Sequence, residues 1–252
     1  MTGSLFARLF RARLSRLAPI LLAALVAASA LTAQNQGAAT AKAADVPSYK
    51  AGGTPIAIPP PASDLVATGE DDRPMMEVFV PDQNRLLAAF VLPGDLPRLK
   101  SGGDDILSKY SLVEVPRQGE FMDLSAKDFK DLADSVGQQF GALLDSSTKD
   151  VEEELNRRMK TLNLDDPKIS FDKPVQLGSF FSKQDAFGLG MIMPVSSKGS
   201  TTTMVGGIIL LRVKNRMLFA YLYATYKDQE TVRWVRKTSE GWADAILAAN
   251  KE

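Results

Sequence analysis

The residues that could perform chemistry are few, because the chain of 252 residues contains no histidine and no cysteine. It therefore has no Ser-His-Asp triad, no cysteine nucleophile and none of the usual zinc sites. Ser146 and Lys149 stand at the S-x-x-K spacing of serine acyltransferases, which one helical turn would bring together. No S-D-N sequence follows, and Lys198–Ser200 matches K-T-G poorly, so we interpret this spacing as chance.

Carboxylates are the remaining candidates for catalysis or metal binding. Neighbouring acids occur at Glu70–Asp72, Asp104–Asp105 and Asp165–Asp166, but none has the spacing of an EF-hand loop. Charged pairs in turns are usually solvated, so we expect no metal and no cofactor. Two carboxyl groups about 5–10 Å apart in a cleft, one of them with a raised pKa, would instead support glycoside hydrolysis. We expect a protein that is not an enzyme, with this hydrolase as the alternative.

Glycines do not indicate a nucleotide-binding loop. Gly188 and Gly190 lie in a strand-like pattern with no third glycine in place, and no Walker sequence occurs. Gly206 and Gly207 fall inside another strand-like run, where glycine marks either a bulge or a close approach of backbones.

Aromatic residues near the C-terminus could bind a ligand by stacking. Alternation along Met217–Tyr226 places Met217 with three aromatics on one face and leucines and alanines on the other. Two apolar faces are typical of a strand covered on both sides, so we interpret these aromatics as core. A stacking platform for a sugar or a peptide is the alternative, and its candidate residues are Phe219, Tyr221, Tyr223, Trp234 and Trp242.

The N-terminus has the pattern of an export signal. Four arginines precede an uncharged run from Leu17 to Ala33, and Ala28 with Ala30 satisfies the A-x-A cleavage rule. We expect residues 1–33 to be a signal peptide of a periplasmic or secreted protein of the bacterial envelope. An uncleaved membrane anchor is the alternative, because the run approaches the length that spans a bilayer. Without cysteine, neither a lipoprotein anchor nor a disulfide can form.

Residues 34–62 are rich in Ala, Gly and Pro, and we predict a flexible leader in which Thr54–Ile58 could form a first strand. Cleavage after Ala33 would remove four of the 30 basic residues and leave 26 against 30 acidic ones. A mildly acidic protein without a basic stripe is not expected to bind nucleic acid or anionic lipid. We expect membrane contact only if residues 17–33 are retained.

Residues 63–252 are predicted to form one α+β domain, an antiparallel meander packed against a long amphipathic helical segment and a C-terminal helix. Apolar residues recur every three or four positions over 125–162, starting at a capping pair of Ser125 and Asp128; one helix and two helices fit equally well. A final helix follows Asp228, with an apolar stripe through Val232, Val235, Trp242, Ile246 and Ala249 that Ser239 interrupts. Strands are predicted at Met75–Val80 and Arg85–Leu92, paired as a hairpin, and at Tyr110–Val115, Pro174–Ser182, Ala186–Val195, Thr201–Val213 and Met217–Tyr226.

The last strand NRMLFAYLYATY, the closing helix WVRKTSEGWADAILAAN and the early segment IAIPPPASDLV together resemble the PsbP-like family of exported accessory proteins. The resemblance covers about the last 80 residues and consists mainly of hydrophobic spacing. It implies a central antiparallel sheet between helices and a binding or assembly role without common catalytic machinery. The helical region 125–162 departs from that family, and the resemblance identifies no functional residue.

These patterns predict an exported, noncatalytic binding or accessory protein of the cell envelope. Its partner, an envelope protein or another extracytoplasmic ligand, is not identified by the sequence. The alternative is a carboxylate-dependent hydrolase acting on envelope polysaccharide.

Overall fold

A computed structural model describes residues 46–100, 107–159, 169–197 and 199–251. The strands in these ranges are β1 Ser48–Ala51, β2 Thr54–Ala57, β3 Val66–Ala67, β4 Asn84–Val91, β5 Lys109–Pro116, β6 Ile169–Phe171, β7 Val175–Ser182, β8 Ala186–Ser197, β9 Ser200–Val213 and β10 Arg216–Thr225. The helices are α1 Arg73–Glu77, α2 Asp95–Lys100, α3 Ala126–Met159 and α4 Gln229–Ala249, with a 3-10 turn at Glu70–Asp72. No helix in these ranges has both the length and the apolar character needed to cross a membrane.

The architecture is α+β, as the sequence predicted. Eight strands form an antiparallel sheet in the order β3-β4-β5-β10-β9-β8-β6, and β7 pairs with β8 beside β6. Short turns join β7, β8, β9 and β10 into the predicted meander. β10 lies at the centre of the sheet, between β5 and β9, and both of its faces are apolar because each enters a hydrophobic core.

One face of the sheet is covered by α3, which is a single helix of 34 residues. The Ser125 hydroxyl accepts a hydrogen bond from the backbone N–H of Asp128 at 3.1 Å, which confirms the predicted cap. The helix buries an apolar stripe that runs from Phe129 to Leu155. The helix is not interrupted at Asp145–Asp150, because Leu143, Leu144, Val151 and Leu155 on either side all enter the same core. Leu162 lies outside the described residues, as do Asp104, Asp105, Asp165 and Asp166.

The opposite face is covered by α4. Asp228 caps this helix by accepting hydrogen bonds from the backbone N–H groups of Glu230 and Thr231, as expected from the sequence. Val235, Trp242 and Ile246 of the predicted stripe are buried, whereas Ala249 is exposed.

Gly207 allows α4 to approach the sheet closely, and it does not mark a β-bulge. The pairing of β9 with β8 and β10 runs through this residue without a shift of register. A Cβ at Gly207 would lie 2.3 Å from the Ser239 hydroxyl oxygen, so two small residues let α4 pack tightly on the sheet.

The prediction of a flexible leader over residues 34–62 is wrong for its second half. β1 and β2 form a hairpin over Ser48–Ala57, and Ala51, Ile56 and Ile58 are completely buried beside α4 and the sheet. Three apolar side chains and the Asn250 amide, which bonds the backbone N–H and C=O of Ala57, hold the hairpin in place. Residues 1–33 and 34–45 lie outside the described residues.

The predicted strand Met75–Val80 and its hairpin with Arg85–Leu92 are also wrong. Residues 73–77 form α1, with Pro74 in the first turn and an Arg73–Glu77 ion pair one turn apart, at 2.9 Å between Nε and Oε1. Met76, Val78, Phe79 and Val80 all enter the core beneath α3. A strand would have sent Phe79 to the face opposite that of Met76, Val78 and Val80.

Candidate binding surface

Four of the five candidate stacking aromatics lie in the core. Phe219, Tyr221 and Tyr223 lie in the core that the sheet shares with α3, and Trp242 lies in the core that it shares with α4; none is more than 2% exposed. They cannot present a ring face to a ligand, so the stacking platform is excluded at these positions. Trp234 is half-buried, and the Lys109 ammonium lies 4.4 Å above its ring and 2.6 Å from a carboxylate oxygen of Asp64.

The most unusual titratable group is Glu114 on β5. Its side chain is completely buried, on the same face of the sheet as a stack of three tyrosines. The ring centroids of Tyr110 and Tyr223 are 5.0 Å apart, and those of Tyr223 and Tyr221 are 6.3 Å apart. Burial, with a contribution from the nearby Glu114 carboxyl group, raises the pKa of Tyr221 and Tyr223 well above that of free tyrosine.

Asn84 is the hydrogen-bond partner of Glu114. Its amide nitrogen donates to one carboxyl oxygen at 2.7 Å, while the other carboxyl oxygen and the Asn84 side-chain oxygen Oδ1 have no hydrogen-bond partner among the described residues. Burial raises the pKa of Glu114 to about 8, against the opposing effects of the Asn84 bond and the charge of Arg158. At neutral pH the group is therefore a neutral carboxylic acid in an apolar layer. It has the pKa expected of a catalytic acid, but a substrate cannot reach it.

A cleft of about 910 Å³ opens on the α4 side, where the β7–β8 turn, the β9–β10 turn, β2 and the end of α4 meet. Its acids are held in ion pairs: Asp185 lies 2.6 Å from an Arg212 nitrogen, and Asp244 lies 2.8 Å from Lys183. Glu114, the carboxyl group whose pKa is raised, does not line this cleft. Within the described residues there is also no group of three or more acidic side chains that could hold a metal ion.

Phe121 is the most exposed large apolar side chain in the described ranges, at 76%. It lies in the loop between β5 and α3, where Met122 and Leu124 turn inward and Phe121 and Asp123 turn outward. The loop contacts the β1–β2 turn at residues 52–53 through Glu120 and the β9–β10 turn at residues 214–215 through Leu124. We call this region the Phe121 surface.

Hydrogen bonds fix the loop that carries Phe121. The backbone N–H of Met122 donates to Gly119 O at 3.0 Å, and that of Leu124 donates to Asn215 O at 2.8 Å. The Glu120 carboxylate accepts from the backbone N–H of Gly52 at 3.1 Å and pairs with the Arg85 guanidinium. Phe121 is therefore presented on a preorganised loop, which reduces the entropy lost on binding.

The pKa of Glu120 reflects these contacts. Burial raises it, but the hydrogen bonds from Arg85 and Gly52, and the charges of Arg85 and Arg117, outweigh that effect and hold it below its usual range. Glu120 is therefore ionised in the folded protein.

Gly52 lets the β1–β2 turn pack against the backbone of the loop that carries Phe121. Its φ of +56° is left-handed, and a Cβ there would lie 2.0 Å from the Glu120 carbonyl oxygen. We predict that Gly52→Ala lowers the free energy of unfolding by at least about 2 kcal/mol, since backbone strain of roughly 1–2 kcal/mol adds to this collision. Denaturant unfolding of the purified protein measures the loss.

Gly53→Ala is the matched control for Gly52→Ala. Its φ is +81°, but a Cβ there would meet nothing within 4 Å, so only the backbone strain applies. Equal losses for the two variants would contradict a close contact between the hairpin turn and the Phe121 loop.

Two residues of interest were not predicted from the sequence. Glu114 shares one face of the strand YSLVEV with Tyr110 and Leu112. The alternation alone therefore predicts a charged residue on an apolar face. Phe121 lies in a short polar stretch with no period, and nothing in the sequence distinguishes an exposed phenylalanine there from a buried one.

Comparison with known proteins gives little beyond this geometry. No protein-family model and no curated protein matches the chain. Among solved structures, it is similar to the Ran-binding protein Mog1p of Saccharomyces cerevisiae, with 13% identity over 79% of this chain and 88% of that chain, at a TM-score of 0.31. It is also similar to a point mutant of protein Mog1, with 14% identity over 81% of this chain and 92% of that chain, at a TM-score of 0.32. Similarity at this level does not extend to function.

Proposed function

We propose that the protein is an exported, noncatalytic binding or accessory protein of the bacterial cell envelope that contacts its partner through the Phe121 surface. The observation that carries this proposal is a large aromatic side chain, 76% exposed, on a loop fixed by hydrogen bonds and an ion pair. Solvent contact with such a ring is unfavourable, and buried aromatic anchors dominate binding energies at interfaces. Export rests on the pattern of residues 1–33.

The noncatalytic assignment rests on the positions of the acids. The carboxyl group with the raised pKa, Glu114, is sealed in the core, while the acids of the cleft are engaged by Lys183 and Arg212. The hydrolase alternative needs such a group in an open cleft. The resemblance to PsbP-like accessory proteins agrees with this proposal.

A photoreactive phenylalanine analogue tests the binding surface. We predict that p-benzoylphenylalanine at position 121 of the full-length chain, produced in cells, gives one discrete adduct on irradiation. The adduct is expected in the periplasmic or envelope fraction, and its chain should begin near Leu31 or Gln34. Substitution at 121 should leave stability within about 0.5 kcal/mol, because the side chain is exposed.

The same analogue at Val175 is the control. Val175 is 57% exposed at the start of β7, away from the Phe121 surface. Adducts of equal yield from both positions, or none from position 121, would contradict the proposed surface. A cytoplasmic chain with an intact N-terminus would contradict export.

A further inference from the structure

We propose that the partner's contact site is an apolar protein pocket rimmed by carboxylates. This inference rests on the proposed function and specifies the chemistry of the partner at the Phe121 surface. Two observations carry it, namely the isolated aromatic anchor and the uncompensated positive charge around it.

The anchor is a single ring on a fixed loop. Asp123 is exposed in the same loop, and Glu120 beside the ring is ionised. Burying one phenylalanine contributes about 1.5–3 kcal/mol to the free energy of binding. This contribution is substantial in a pocket shaped for the ring, but too small to hold a protein on a bilayer. The anchor therefore favours a protein pocket over a lipid surface.

The acids of this surface are neutralised within the molecule. Glu120 pairs with Arg85, and an Asp123 carboxylate oxygen lies 3.2 Å from an Arg216 nitrogen. Each of these two carboxylates thus has an arginine partner within the molecule, and the two pairs carry no net charge.

The cations of the surface are not neutralised in the same way. Lys50, Arg117 and Lys214 form no ion pair with a carboxylate of the described residues, although the charge of Arg117 helps to lower the pKa of Glu120. Arg117 donates to Asn84 O at 2.8 Å and Lys214 to Pro55 O at 3.3 Å. Arg117 and Lys214 lie in segments of the Phe121 surface, and Lys50 lies two residues before the turn at residues 52–53. Lys50 pairs with Pro55 in the β1–β2 hairpin, whose turn at Gly52 packs against the backbone of Glu120 and Phe121, and Arg117 lies in the Phe121 loop itself.

This positive rim runs against the charge of the whole chain, which has equal numbers of basic and acidic residues. A local excess of cations around an apolar anchor favours a partner with complementary carboxylates, because charge complementarity accelerates association and excludes wrong partners. The partner that fits is thus a protein with a pocket for one aromatic ring and acidic residues at its edge.

Charge reversal tests this inference in the crosslinking system. Lys50→Glu with Lys214→Glu, combined with the photoreactive residue at 121, should lower the adduct yield by about tenfold or more. The control pair, Lys227→Glu with Lys237→Glu, changes the net charge equally at two exposed positions distant from the Phe121 surface and should leave the yield unchanged. Mass spectrometry of the crosslinked peptide should find Asp or Glu beside the modified residue. Unfolding midpoints of both variants confirm that they fold.

The outcomes separate the two proposals. The acidic rim would be contradicted, but not the proposed function, if position 121 gave a specific adduct whose yield was unchanged by Lys50→Glu with Lys214→Glu. The same conclusion would follow if the partner's contact site contained no Asp or Glu. An adduct with phospholipid, with residues 1–45 or with a second copy would likewise overturn this inference. The absence of any adduct would overturn both.

Discussion

Glu114→Gln is expected to stabilise the protein at pH 8, by about 3–5 kcal/mol, and to have little effect at pH 5. The carboxyl group is completely buried, and its pKa in the folded state is about 8 against a usual value of 4.5. Between these two values the unfolded chain has released the proton, whereas the folded protein retains it. The stability of the native protein therefore falls as the pH rises from about 4.5 to 8.

The amide of glutamine removes this dependence, because it has nearly the shape of the carboxylic acid and does not titrate. Tyr221 and Tyr223, which lie close to Glu114, change the same window little, because burial raises the pKa of both well above it. Denaturant unfolding of both proteins at pH 5, 6, 7 and 8 measures the difference. Parallel curves for the two proteins would show that Glu114 does not hold its proton in the core.

Glu120→Gln is the matched control, since its expected pH signature is opposite. The pKa of Glu120 is lowered in the folded state, so this carboxylate stabilises the protein above its unfolded pKa and loses that contribution as the pH falls. Glu120→Gln should therefore destabilise the protein at neutral pH and become harmless in acid. The two variants together separate titration at one site from a general effect of pH on the fold.

The regular elements could be predicted because their patterns are long. Alternation over Met217–Tyr226 and a spacing of three or four from Phe129 to Leu155 each repeat often enough to identify a strand or a helix. The pattern of the short segment Met75–Val80 does not repeat often enough to distinguish a strand from a helix. Its six residues show a strand-like composition, and only the tertiary core, which takes Met76, Val78, Phe79 and Val80 together, decides its conformation.

The candidate site was less predictable than the fold, because it depends on contacts between distant segments. Gly52 and Glu120 are 68 residues apart, and their hydrogen bond is formed only when the β1–β2 hairpin packs beside the β5–α3 loop. The composition of residues 34–62 indicated flexibility. Composition, however, does not reveal that Ile56 and Ile58 meet α4 from the far end of the chain.

Trp242→Ala is expected to lower the free energy of unfolding by about 3–5 kcal/mol. The indole is 1% exposed, lies edge-on to Phe90 with ring centroids 6.1 Å apart, and donates a hydrogen bond from Nε1 to Pro59 O at 2.7 Å. Truncation would leave a large cavity between α4 and the sheet. It would also leave the Pro59 carbonyl without its partner and so loosen the connection between the N-terminal hairpin and the C-terminal helix.

Trp234→Ala and Trp242→Phe identify the source of that loss. Trp234 is only half-buried, so its truncation should cost about 1 kcal/mol, whereas Trp242→Phe keeps most of the packing and loses the hydrogen bond, for a loss of about 1–2 kcal/mol. Denaturant unfolding monitored by circular dichroism compares the three variants, since each one changes the tryptophan fluorescence. A Trp242→Ala variant as stable as the native protein would mean that α4 does not pack on the sheet through this ring, and Trp242 would again be a candidate for ligand stacking.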